Sequence, residues 1–157
     1  MTQDIRWLGL GLAVTILIVD LSTKSFMADM LTNTGGMLDI LPFLDFRLGY
    51  NRGVSFGLLS SQNSWMPCVL AFFAFAVSVY LMSRLRRSET KIDAIWIGLI
   101  IGGALGNGVD RLLDGVVTDF IDVHGFGYHW PTFNLADVAI VLGVAIVLIQ
   151  NVRTARL

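Results

Sequence analysis

Four long apolar stretches, about 5–27, 66–84, 92–112 and 135–152, are separated by segments where apolar and polar residues mix. A bilayer core of about 30 Å takes roughly 20 apolar residues of helix, so each stretch is long enough to span one. The third is the least pure, because it ends in GNGVDR. The segment about 28–65 is long but not hydrophilic. Its apolar and polar positions partly alternate from Leu38 to Phe56, broken by Pro42, Gly49, Gly53 and Gly57. That rhythm predicts short strands lying against the membrane surface, with an interfacial helix as a further possibility. The segment about 113–134 contains VVTDFIDVHGFGYHWP, an extended Val/Phe/Ile run followed by a Gly- and aromatic-rich turn. Trp65, Tyr128 and Trp130 suit the headgroup zone. The expected fold is an α-helical membrane protein: four transmembrane helices with a small β-rich extracytoplasmic cradle, in one polytopic domain over 1–157.

Composition sharpens this picture. Charged residues are 15% of the chain, against about 25% in soluble domains, and mean hydropathy is +0.70. A net charge of −1 gives no sign of a nucleic-acid partner. The single cysteine, Cys68, excludes an internal disulfide and a multi-Cys metal site; it reads as a small packing residue at a helix start. Arg6 precedes the first apolar run as in a signal peptide. That run is long, however, carries Asp20 and Lys24 near its end and lacks a small-x-small cleavage site, so it reads as a retained anchor.

Orientation follows from Lys and Arg. Arg6, Arg84, Arg86, Arg87, Lys91, Arg153 and Arg156 fall on one side, and Lys24, Arg47, Arg52 and Arg111 on the other. The excess predicts that both termini are cytoplasmic. Acids are skewed the other way: only Asp4, Glu89 and Asp93 lie inside. Acids count little for topology, so the outer side is where chemistry is expected.

Several clusters there carry candidate chemistry. In DLSTK, Asp20 and Lys24 are spaced i, i+4 and can pair, either as a boundary salt bridge or as a brace for a polar site. Gly98, Gly102 and Gly106 recur every four residues, with Gly103 beside them, and allow close helix approach. Asn107, Asp110 and Arg111 follow on one face; they are either a helix-end ion pair or a positioning group facing the bundle interior. Asp114 before Gly115 reads as a turn residue. Asp119 interrupts an apolar extended run and projects opposite to Thr118 and Phe120, whereas Asp122 has a weaker claim. Asn134 is a good N-cap and Asp137 is three residues on. A surface Asp there serves the helix dipole alone, but Asp119 and Asp137 together, both at the outer boundary, favour a functional pair. His124 and His129 lack the spacing of a helical zinc motif, and no Gly-x-Ser-x-Gly is present. A channel would place acids through the membrane depth, but the middles of the spans are uncharged; a purely structural subunit leaves the two acids unexplained.

In order, DLSTK, NRGVSFG, GGALGNGVDR, VVTDFID and FNLAD resemble the successive blocks of lipoprotein signal peptidase (signal peptidase II), an intramembrane aspartyl protease family of the bacterial inner membrane. The resemblance covers nearly the whole chain. One departure is Ser55, where the family often has Ala. It implies cleavage of diacylglyceryl-modified prolipoproteins just before the lipidated cysteine, at the outer leaflet, by Asp119 and Asp137. Asp20, Lys24, Asn51, Gly53, Phe56, Asn107, Asp110, Arg111, Asn134 and Ala136 match its supporting or substrate-lining positions. It implies sensitivity to globomycin-like inhibitors, no cofactor and no metal; a monomer is expected. Two close carboxylates share one proton. The helix N-terminus is expected to favour the Asp137 anion and leave the proton on Asp119, within a pair that titrates as a unit. Residues 38–59 are expected to form a cradle and lid around Asn51 and Phe56.

Overall fold

The computed structural model describes residues 2–53 and 65–154, with side chains for 4–53 and 65–152. Phe56 and the distal part of the expected cradle lie outside the described residues. Four helices, α1 (Thr2–Asn33), α2 (Met66–Leu85), α3 (Lys91–Leu113) and α4 (Leu135–Thr154), are each long and apolar enough to cross a membrane. A helix closes its own backbone hydrogen bonds, which is what hydrocarbon demands. α1 continues past Met27 to Asn33, beyond the end of the apolar pattern. Its last turns hold because Met27 and Leu31 are buried against Phe120 of the sheet. Gly35 and Gly36, both at positive φ, then turn the chain, and the Gly36 N–H closes back on the Leu31 carbonyl.

α3 is the central helix: 56% of its apolar window is buried, against 17–22% in the other three. Small residues produce this. A methyl group at Gly98 would sit 2.5 Å from the Gly9 carbonyl oxygen on α1, and one at Gly103 would run into the Ala136 carbonyl oxygen on α4. Without side chains the backbones touch, which is how apolar helices gain contact when lipid offers the same hydrophobicity. Ile5, Ala13, Leu81, Leu85, Ala94, Ile97 and Ile101 pack into one cluster around this helix. Cys68 differs from expectation. It is exposed, on an α2 surface whose large residues, such as Phe72 and Val79, are also left uncovered; a thiol behaves there as a small apolar group.

The expected strands form a four-stranded antiparallel sheet, β1 (Met37–Leu41), β2 (Leu44–Asn51), β3 (Val117–Gly125) and β4 (Tyr128–His129), in that order. Gly49 lies opposite Asp119 and Asn51 opposite Val117. Phe126, at φ 53°, and Gly127 make the tight turn after β3. The chain then runs back beside β3. Trp130 N–H donates to Val123, Phe133 N–H donates to Ile121, and the Phe133 carbonyl accepts from Phe120 and Ile121. This return delivers Asn134 and the start of α4 to the flank of Asp119.

Candidate active site

The start of α4 has backbone donors that no helical turn can satisfy, and side chains take them. Asn134 Oδ1 accepts the Asp137 N–H at 3.0 Å, and Asp137 Oδ2 accepts the Asn134 N–H at 3.4 Å, a reciprocal capping box. The Ala136 N–H donates to Asp20 Oδ1 of α1 at 2.8 Å. The dipole duty considered for Asp137 is therefore present, and the residue does more besides. Asn107 Nδ2 donates to Asp137 Oδ1 at 2.8 Å, while Asn134 Nδ2 donates to Asp119 Oδ1 at 2.7 Å. Asn134, fully buried, thus touches both acids through one side chain.

Around this pair the charges are tightly arranged. Lys24, only 3% exposed, reaches Asp20 Oδ2 at 2.7 Å and Asp110 Oδ2 at 3.1 Å, and donates to Asn107 Oδ1 at 2.9 Å. The i, i+4 pair read from DLSTK is therefore a brace between helices rather than a snorkelling surface bridge. Gly106 leaves the space that the Asp20 carboxylate fills. Asp110 Oδ2 also accepts the Thr118 N–H at 3.1 Å, tying the start of β3 to α3. Asp110 and Arg111 do not form the helix-end pair that was one reading of them: Arg111 donates to the carbonyls of Asn107 and Gly53, which draws the end of β2 over the site. Asn51 accepts the Gly53 N–H and hydrogen-bonds Asp119.

Burial, followed by the negative charge of Asp137, pushes the Asp119 carboxyl up to about 7. Hydrogen bonds from Asn134 and Asn51 and the charge of Lys24 oppose that rise without cancelling it. Among the described residues, Asp20, Asp110, Asp119 and Asp137 face two cations, Lys24 and Arg111, so a proton retained on Asp119 relieves the imbalance.

Of the residues singled out from the sequence, Asp20, Lys24, Asn51, Gly53, Asn107, Asp110, Arg111, Asp119, Asn134, Ala136 and Asp137 come together here. Phe56 lies outside the described residues. Among the described residues no group of His, Cys, Asp and Glu is arranged to hold a metal. One feature escaped the sequence: a mainly apolar groove of about 400 Å³ leads away from Asp137 between Trp130, Thr132, Phe133, Val138, Val141 and Leu142. Positions 138, 141 and 142 share the helix face of Asp137 at helical spacing, a signal hidden in a segment that is apolar on every side.

Comparison with known proteins agrees with this layout. Residues 12–153 match the family model described as signal peptidase II. A lipoprotein signal peptidase of Coxiella burnetii (strain Dugway 5J108-111) is 41% identical over 151 residues, covering 94% of this chain and 91% of the relative. One from Aquifex aeolicus (strain VF5) is 40% identical, covering 92% and 85%. A solved bacterial membrane enzyme superposes with a TM-score of 0.79 at 29% identity over 94% of this chain and 88% of that one. A second superposes with a TM-score of 0.73 at 30% identity over 90% of each chain. The family match over most of the length, with relatives of this similarity, means that the chain belongs to the lipoprotein signal peptidase (signal peptidase II) family.

Proposed function

We propose that Asp119 and Asp137 are the catalytic pair of this lipoprotein signal peptidase, cleaving the signal peptide from prolipoproteins just before a diacylglyceryl-modified cysteine. The observation that carries this reading is the single buried Asn134 side chain that hydrogen-bonds Asp119 and caps the helix of Asp137. The ionised Asp137 takes a proton from a water, whose oxygen attacks the scissile carbonyl carbon. Asp119 gives its proton to the carbonyl oxygen as the tetrahedral species forms. Asp137 returns its proton to the amide nitrogen while one hydroxyl of the tetrahedral species gives a proton back to Asp119, so that the C–N bond breaks and the signal peptide acid and the free amine of the cysteine are released. The two carboxyls end the cycle sharing one proton, as they began.

The supporting groups have separate tasks. Asn107 and Asn134 orient the carboxyls, Lys24 and Asp20 hold α1, α3 and α4 in register, and Arg111 steadies the backbone at Gly53. The apolar groove beyond Asp137 suits a substrate whose lipid chains never leave the bilayer. The arginine excess at the opposite ends of the helices supports cytoplasmic termini, with the pair at the outer leaflet of the bacterial inner membrane.

The test uses purified full-length chain in proteoliposomes with a diacylglyceryl-modified precursor. Asp119→Asn and Asp137→Asn are expected to stop signal-peptide release while helical content stays unchanged, since Asn keeps the shape of Asp and at position 137 an amide oxygen still accepts the Asn134 N–H. Cleavage within about tenfold of wild type in either variant, below what acid–base groups contribute, rejects the pair. A C-terminal reporter that proves active only outside the cell rejects the orientation.

A further inference from the structure

At the end of the bundle remote from Asp119, α1 and α2 both pack on α3 and leave a cleft of about 430 Å³ between them. Its walls are Arg6, Trp7 and Leu10 from α1 and Met82, Leu85 and Arg86 from the end of α2. Its floor is apolar. Leu85 is 1% exposed, and its methyl sits where a side chain at Gly9 would otherwise lie. Its rim is cationic, since Arg6 and Arg86 are exposed and neither forms an ion pair with a carboxylate among the described residues. Trp7, largely exposed beside them, sits at one end of a spanning helix, where indoles meet the headgroup layer.

We propose that this cleft binds an anionic glycerophospholipid of the adjoining leaflet. An arginine that merely snorkels needs no partner and no concavity. Here two guanidiniums flank one concave space whose floor is hydrocarbon, so charge and shape ask for one amphipathic ligand. The guanidinium fork matches phosphate oxygens in bidentate fashion, and basic pockets between spanning helices hold anionic headgroups by this means. One acyl chain follows the crease over Leu10, Met82 and Leu85. A zwitterionic lipid brings its own ammonium to the rim and binds less well. A free phosphate leaves the apolar floor unused. Neighbouring Arg84, Arg87 and Lys91 raise the local positive potential without lining the cleft. The bound lipid fills the space between α1 and α2.

The full-length chain, released from nanodiscs of phosphatidylcholine containing a minor fraction of phosphatidylglycerol, is analysed for retained lipid by native mass spectrometry. Wild type is expected to retain phosphatidylglycerol preferentially, and Arg6→Gln/Arg86→Gln to lose that preference by about tenfold or more. The charge-matched control Arg84→Gln/Arg87→Gln is expected to lose less than about threefold. Equal loss in both double variants means a diffuse surface potential and overturns the site, as does a wild type without preference. Displacement of the lipid by soluble glycerol phosphate at equal concentration overturns the choice of a lipid ligand. If the variants do not fold, wild type alone decides: retention of phosphatidylglycerol that saturates at one lipid per chain supports the site, and retention that rises without a limit in number or is indifferent to headgroup charge rejects it. The readout is lipid retention, so its failure leaves the proposed cleavage reaction untouched.

Discussion

Asp119 and Asp122 stand three residues apart on β3 and are both almost completely hidden, at 2% and 1% exposure, yet their surroundings differ in kind. Asp122 meets Arg47 Nε at 3.3 Å and His129 Nδ1 at 2.9 Å. Beside it Asp45 meets His124 Nε2 at 3.0 Å, and the two imidazoles stack with centroids 4.8 Å apart. Basic groups answer those acids, and the cluster ties β2 to β3. Asp119 instead has two amides and, nearby, a second carboxylate. An acid hidden among basic partners is a structural joint; an acid hidden beside another acid holds its proton until late. Burial alone does not separate the two cases. The identity of the partner does.

The largest effect expected on this contrast is catalytic. Asp119→Asn should lower turnover about a thousandfold or more, whereas Asp122→Asn should stay within a few-fold. A comparable loss at both sites, in the proteoliposome cleavage assay, would erase the distinction. Next comes the cation. Lys24→Met leaves Asp20 and Asp110 buried together, a defect that costs about 3–5 kcal/mol. Arg47→Met removes a side chain that is 42% exposed and should cost about 1 kcal/mol or less. Denaturant unfolding in detergent ranks the two. Smaller again is Gly103→Ala, which pushes α4 off α3 at the Ala136 carbonyl and should cost about 1–3 kcal/mol as overpacking does.

The subtlest effect is in pH. With its carboxyl raised from the ordinary 3.8 to about 7, Asp119 in the folded chain keeps a proton that the unfolded chain has already released. The folded state therefore binds more protons across that window, and its stability falls as pH rises from about 4 through about 7. Asp119→Asn cannot ionise, so its unfolding temperature should gain on wild type toward pH 8 and gain least near pH 4. The rate of signal-peptide release by wild type should decline above about pH 7, as the proposed acid loses its proton. A thermal offset between the two proteins that does not vary with pH would mean that Asp119 is ionised throughout.

Much of the architecture was legible along the chain, because apolar run length reports directly on the ability to cross a bilayer. The strands showed as alternation broken by Pro42 and Gly49, and the glycines of α3 as positions of close approach. Boundaries were less legible. α1 outruns its apolar pattern because Leu31 and Met27 meet Phe120, a contact supplied by a segment about ninety residues farther on. The burial of Asp122 with Arg47 and His129 carried no local signal either, since the pairing needs β2 beside β3.

The sequence by itself determined the four spans, the side on which the acids gather, and the ordered motifs that resemble lipoprotein signal peptidase. These follow from properties each residue carries wherever it lies, transfer free energy and charge above all. Only the tertiary structure decided that Asp20 caps α4 across 116 positions, that one Asn134 amide joins Asp119 to the helix of Asp137, and that an apolar groove opens beside them. Hydrogen bonds act over about 3 Å in space. The return of residues 130–133 along β3 brings those atoms within reach of one another, and hydrophobic periodicity carries no information about that path.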